Sequence, residues 1–177
     1  MSLKHAVLAL LQKEEGSGYD LSKRFKGGMS YFWSASHQQI YQQLKKMLSD
    51  DLIAVRVESQ DGKPDKKIYQ ITELGTQALI DWIEEPSKMS RVNDAFLVKL
   101  YAGEVVDNSV LAAKIKEHVV HHQKLLTAFA LLEEEYAGMN KQQRKRVMLP
   151  YMTLRKGVLG EQAWLQWAEE ALALLEQ

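Results

Sequence analysis

The hydrophobic pattern of this chain changes period once along its 177 residues, in a short segment with helical patterns on both sides. Ile53-Ala54-Val55-Arg56-Val57 and Lys67-Ile68-Tyr69-Gln70-Ile71 read as alternating strands, and the Gly62- and Pro64-containing stretch from Ser59 to Asp65 reads as the turn between them. Three helical patterns come first. Leu3 to Lys13 carries Leu3, Val7, Leu10 and Leu11 on one face and stops at Glu14-Glu15-Gly16-Ser17-Gly18. Tyr19 to Lys26 carries Leu21 and Phe25 and ends at Gly27-Gly28. Ser36 to Ser49, with Ser34 or Ser36 as N-cap, buries Ile40, Leu44, Met47 and Leu48. After the hairpin, Thr72 caps a fourth helix that runs through Trp82-Ile83.

The polar stretch around Pro86 divides the chain. Residues 1–85 form one domain, 86–91 a linker and 92–177 a second domain in which nothing reads as a strand. Helices are expected at Val92 to Ala102, Asn108 to Tyr136 and Lys141 to Glu176, the last bent at Pro150. The middle helix carries a heptad stripe of Leu111, Ile115, His118, His122, Leu125, Phe129, Leu132 and Tyr136. The last carries Leu154, Val158, Glu161, Leu165, Ala168, Leu172 and Leu175. Stripes this long exceed what a short neighbour covers, so they predict helix-on-helix packing that recruits a second subunit. Leu111, Ile115, His118, His122, Leu125, Phe129, Leu132, Leu154, Val158, Trp164, Leu165, Trp167 and Leu172 are the expected dimerisation residues. The fold class is therefore mainly α with one small β-hairpin.

Composition removes several function classes. With no cysteine there is no disulfide framework, thiolate nucleophile or Cys-based zinc site. The apolar run from Ala6 to Leu11 is too short to span a membrane or serve as a secretory core, which predicts a soluble cytoplasmic protein with no membrane partner. Lys+Arg and Asp+Glu balance at 23 each, which on its face argues against a nucleic-acid binder. The balance hides unlike halves: residues 1–72 hold 11 basic and 8 acidic residues, net +3, and residues 73–177 hold 12 and 15, net −3.

Three helices followed by a hairpin is the winged helix-turn-helix order, in which the third helix enters the major groove and the hairpin touches the flanking backbone. From Leu21 to Ser49 there is no Asp or Glu, while Lys23, Arg24, Lys26, Lys45 and Lys46 are basic. The third helix presents Ser36, His37, Gln38, Gln39 and Gln42 for base contacts, because Gln pairs bidentately with adenine while Ser and His serve several edges. Lys45, Lys46 and the wing residues Lys63, Lys66 and Lys67 are assigned to phosphates. Tyr41 is assigned to the DNA surface, since Ile40 and Leu44 already supply the inward stripe; the alternative is a half-buried aromatic packed under the wing.

The order LLxxxxxxGYDLSKRF, SHQQIYQQLKKML, then GKPDKKIYQIT followed by ELG resembles the PadR family of bacterial transcriptional regulators. The stretch from Tyr31 to Tyr41, with Gly62-Lys63-Pro64-Asp65, is most similar to the AphA-like virulence-activator branch of that family. Most members place proline after the motif tyrosine, where this chain has Gln42, as suits that branch. The resemblance spans residues 1–85 and continues more loosely into Ala163-Trp164-Leu165-Gln166-Trp167-Ala168. It implies a homodimer joined through the C-terminal domain, bound to double-stranded DNA at a pseudo-palindromic operator, without fixing activation or repression.

Rival readings rest on fewer residues. His118 and His122, four apart on one helix, lack a third metal ligand, and a pH effect on the dimer is the more reasonable role. An enzyme finds no Walker sequence, no strand-linked GxGxxG and no serine elbow, so no catalytic residue, metal or cofactor is expected. Gly27-Gly28 ends a helix and Glu133-Glu134-Glu135 is a solvated face. A winged-helix protein-interaction adaptor would use Trp82, Trp164 and Trp167, whose simpler role is core packing. A small-molecule-responsive repressor would hold an unknown apolar effector near Tyr31, Phe32 and Trp33, which otherwise pack the domain junction.

Overall fold

The structure is a computed structural model that describes residues 3–60, 63–87 and 93–176. The chain divides into two compact units, residues 1–89 and 90–177. The side chain of Lys63, the hairpin tip 61–62 and the linker residues 88–91 lie outside the described residues.

In the first unit, α1 (Leu3–Lys13), α2 (Gly18–Gly28) and α3 (His37–Ser49) precede β1 (Ile53–Gln60), β2 (Lys63–Ile71) and α4 (Glu73–Glu84). The helical stripes converge as the spacing requires: Val7, Leu8, Leu10, Leu11, Leu21, Phe25, Ile40, Leu44 and Met47 form one buried cluster with Leu52, Ile53, Tyr69 and Leu79. Each such side chain contributes roughly 1.5–3 kcal/mol by leaving water. The start of α2 is a capping box: Ser17 Oγ accepts from the Asp20 N–H, and Asp20 Oδ2 accepts from the Ser17 N–H at 3.0 Å. The same carboxylate meets Lys66 Nζ at 3.1 Å, which ties α2 to β2.

Helix α3 leaves through a Schellman turn. The Leu52 N–H donates to the Met47 carbonyl and the Asp51 N–H to that of Leu48, with Asp51 left-handed at φ 54°. Thr72 locks this corner to the next one. Its N–H donates to the Leu52 carbonyl, its Oγ1 donates to the Asp51 carbonyl at 2.8 Å, and it caps α4 by accepting from the Gly75 N–H. The β1–β2 ladder is antiparallel, pairing Ile53 with Ile71 and Val57 with Lys67, and shifts register between Glu58 and Gln60. Gly16 adds a short bridge on the far side of β2 through reciprocal backbone hydrogen bonds with Tyr69.

Four boundaries differ from expectation. Helix α2 runs through Gly27 and Gly28, because the Met29 N–H still reaches the Phe25 carbonyl. The strands extend into the expected Ser59–Asp65 turn, and Pro64, which has no N–H, is tolerated beside the register shift of a two-stranded sheet. Helix α5 is short (Ala95–Tyr101) and opens on Asp94, whose Oδ1 accepts from the Phe96 N–H. The final helix is two: α7 (Lys141–Arg146) and α8 (Met148–Leu175) break at Val147, because the ring of Pro150 would strike the carbonyl four residues back at Arg146.

In the second unit, α5 and a 3₁₀ turn (Gly103–Val105) precede α6 (Asn108–Gly138), which lies antiparallel against α8. The two heptad stripes face each other within one chain. From one end of the seam to the other, Tyr136 stacks on Tyr151 at 3.6 Å, Glu133 takes Arg155 at 2.6 Å, the Phe129 ring lies over Gly157, and His122 Nδ1 meets Glu161 Oε2 at 2.5 Å. At the far end Asn108 Nδ2 donates to the Leu175 carbonyl. Ile115, Phe129, Val158 and Ala168 are fully buried there, while the other stripe residues are mostly half-buried.

A Cβ on Gly75 would lie 2.0 Å from the Leu52 carbonyl oxygen. Gly75→Ala should therefore destabilise the first unit by about 1–3 kcal/mol, seen as a lower Tm; an unchanged melt would show that the corner yields. The Asp20 carboxyl is held near pH 2, below its ordinary 3.8, first by Ser17 hydrogen bonds and then by Lys66. A depressed folded-state value stabilises the fold above the unfolded value and stops doing so as pH falls through the folded one. Acid titration of the wild type should show this loss between about pH 4 and 2, and Asp20→Asn should remove that component.

Candidate nucleic-acid interface

Helix α3 separates its two faces cleanly. Ile40, Leu44 and Met47 are buried, and the opposite face carries Ser36, His37, Gln38, Gln39, Tyr41, Gln42, Lys45 and Lys46, all exposed. The burial of the apolar stripe on α1 and α2 is what turns the polar face outward.

Ser36 is the N-cap, and with Gln39 it closes a capping box: Ser36 Oγ accepts from the Gln39 N–H, while Gln39 Oε1 accepts from the Ser36 N–H at 2.8 Å. An adenine contact through that oxygen would have to displace the cap, which leaves Gln38 and Gln42 as the exposed amides outside the capping box. The His37 ring sits 4.5 Å from that of Tyr41. Tyr41 is 40% exposed, and its ring covers Gly18 at the start of α2, where an added Cβ would come within 2.5 Å of it.

The basic residues are not equivalent. Lys67 is exposed on the wing, while Lys66 is half-buried and held by Asp20. Arg24, in the acid-free window, is turned back onto its own loop, donating to the Glu14 and Glu15 carbonyls and meeting the Glu14 carboxylate at 2.9 Å. Arg56, which no sequence motif marks, pairs with Glu15 and Glu58 at 2.8 Å and braces the wing against the α1–α2 loop. Only the spacing of opposite charges along β1 hints at it. Among the aromatics, Trp33 packs on the first unit's core, Tyr31 and Phe32 are exposed, and Trp82 stacks on His5 at 4.4 Å. Trp164 stacks on His122 at 3.7 Å and lies beside Trp167 in a cluster with Phe96 and His118. Among the described residues no three metal-ligating side chains gather, and no helix is long and apolar enough to cross a membrane.

Residues 7–81 match the transcriptional regulator PadR-like family, and residues 92–176 match the virulence activator alpha C-terminal family. The negative transcriptional regulator PadR of Bacillus subtilis is 32% identical over 99% of this chain and 98% of its own. Its structure in complex with operator DNA superposes with a TM-score of 0.86 at 31% identity, covering 98% of both chains, and its complex with p-coumaric acid with 0.81 at 30%, covering 99% of both. The Vibrio cholerae virulence activator AphA is 36% identical, with a TM-score of 0.80 over 99% of this chain and 98% of that one. The chain belongs to the PadR-like family, whose members are transcriptional regulators rather than enzymes.

Proposed function

We infer that this chain acts in the cytoplasm as a homodimer that binds a pseudo-palindromic operator, with α3 in the major groove and the wing on the flanking backbone. The carrying observation is the outward polar face of α3 beside an exposed wing lysine, on a body closely similar to one solved with operator DNA. Gln38 and Gln42 read base edges, His37 and Tyr41 lie at the sugar-phosphate margin, and Lys45, Lys46 and Lys67 take phosphates. Lys63 belongs with them by position in the wing, and Lys66 joins them by exchanging Asp20 for a phosphate. Relatives include a negative regulator and a virulence activator, so this body serves either sign of regulation.

Dimerisation belongs to the second unit, but the face differs from the heptad stripes. Ile115, Phe129 and Val158 are already covered by their own chain, whereas Val98, Tyr101, Leu131, Leu149, Met152 and Leu174 are exposed, Tyr101 to 93%. The exposed residues are spread along α5, α6 and α8 and are the apolar surface that a second chain would cover. A second reading adds small-molecule control, with an aromatic carboxylic acid as the class. It is supported by the relative's p-coumaric acid complex and by the exposed rings of Tyr31 and Phe32.

Selection from a random-sequence DNA pool checks the assignment. Gln38→Ala or Gln42→Ala should relax preference at particular base pairs, whereas Lys67→Ala should weaken all sequences alike and lower the salt slope by about one per bound protomer. Unchanged DNA affinity in all of these variants would mean that this surface does not bind DNA. By sedimentation the full chain should be dimeric and a fragment ending at residue 90 monomeric; a dimeric fragment would refute the roles given to the two units.

A further inference from the structure

The acidic half of the chain contains a second carboxylate-free stretch. Between Glu135 and Glu161 there is no Asp or Glu, while Lys141, Arg144, Lys145, Arg146, Arg155 and Lys156 all fall inside it. The fold uses Arg155 internally, against Glu133. The first four are gathered on α7, whose six residues are all exposed. Arg144 donates to the Ala137 carbonyl and lies 5.5 Å over the Tyr136 ring, contacts that orient its guanidinium without neutralising it.

Helix stability alone does not account for this composition. Cations in a last turn favour a helix slightly, but Lys141 and Lys145 are like charges four apart and oppose the helix by a similar amount. The N-terminus of α7 is already secured by the Asn140–Gln143 capping box. Nor does α7 have the apolar face that an interfacial helix or a groove-binding helix needs, since its sequence is Lys-Gln-Gln-Arg-Lys-Arg. A purely cationic and amide surface fits a regularly charged polyanion.

We propose that α7 is a second, sequence-independent contact to the DNA backbone, made by Lys141, Lys145 and Arg146. It rests on the reading that the winged helix binds DNA: a duplex held by the first unit brings phosphates to the tethered second unit at high effective concentration. Lys141 and Lys145 are separated by ~6 Å of helix axis, short enough for both to meet one strand, whose phosphates recur every ~3.4 Å of duplex. The contact adds affinity and reach along the duplex and carries no base preference.

The test uses the full-length protein and a mixed-sequence duplex of about 60 base pairs, with affinity measured across a salt series. Lys141→Gln/Lys145→Gln/Arg146→Gln should lose at least roughly tenfold in affinity at low salt and lower the salt slope by about two to three per bound protomer, about five for the dimer. Glutamine is a good helix former, and Arg144 is left in place because its contacts hold the end of α6. The single Lys145→Gln should lower the slope by about one per bound protomer, and Lys141→Arg/Lys145→Arg should leave it unchanged. If the triple variant binds with wild-type affinity and slope while Lys67→Ala weakens binding, the α7 contact is wrong and the winged-helix reading stands. If Lys67→Ala and the α3 variants also bind like wild type, both fail. A triple variant that keeps its DNA affinity but no longer binds phosphatidylserine vesicles or polyglutamate, where the wild type does, would assign α7 to a different partner and overturn the proposal.

Discussion

The first unit depends on one corner. Leu52 is the C-terminal lock of α3, the first step into β1 and, through its carbonyl, the acceptor for Thr72 and the floor under Gly75. These contacts fix how α3 leaves its axis and where β2 ends relative to it. The polar face of α3, as the proposed recognition surface, is useful only if the wing stands at a set distance from it, and both elements are referenced to this one peptide. Asp51 in a left-handed conformation, normally left to glycine, is held there by the Schellman bonds and by Thr72 Oγ1. The Asp20–Lys66 and Arg56–Glu15 pairs then set the tilt of the hairpin from its other side. Exposed ion pairs are worth little singly, so they orient the wing more than they stabilise the fold.

The second unit follows different physics. Two long helices offer only one line of contact, and chemistry varies along it: stacked tyrosines and the Arg155–Glu133 pair at one end, a histidine–glutamate pair under a tryptophan further on, then a side-chain amide on a helix C-terminus. Polar pairs in a seam specify register more than stability, because a slip would separate partners that desolvation makes costly to leave unmatched. What the seam does not supply is a full core, as the small number of fully buried residues shows. The remaining apolar surface of α5, α6 and α8 is the physical case for a second chain.

Much of this was legible in the sequence because periodicity reports burial directly. The change of period at Ile53 and back at Thr72 located the hairpin, and the α1, α2 and α3 stripes named most of the core. Features that arise from tertiary contact were not legible. The Gly16–Tyr69 bridge has no periodic signature, Lys66 could not be told from Lys67 without Asp20 beside it, and the capping role of Gln39 competes with its reading as a base contact. The heptad stripes were real, but period alone does not say whether the facing helix belongs to the same chain. The break before Pro150 was visible as a proline in a helical pattern; its displacement to Val147 follows from the ring's reach to the preceding turn.

The neutral charge balance acquires meaning once internal pairs are set aside. Arg24, Arg56 and Lys66 face carboxylates of their own unit, so the surface proposed for DNA has fewer available cations than the sequence suggests. Each phosphate neutralised contributes a salt-dependent increment that is independent of sequence, and few increments mean weak non-specific binding. A weak single unit is an advantage for a regulator, since it does not linger on the many competing sites of a genome. In the proposed dimer specific occupancy comes from joining two such units at a fixed spacing, where the second binding event proceeds at the effective concentration set by the first. In the proposed dimer the second unit is as much a determinant of operator recognition as α3, because without it the base contacts would act on an affinity too small to hold them in place.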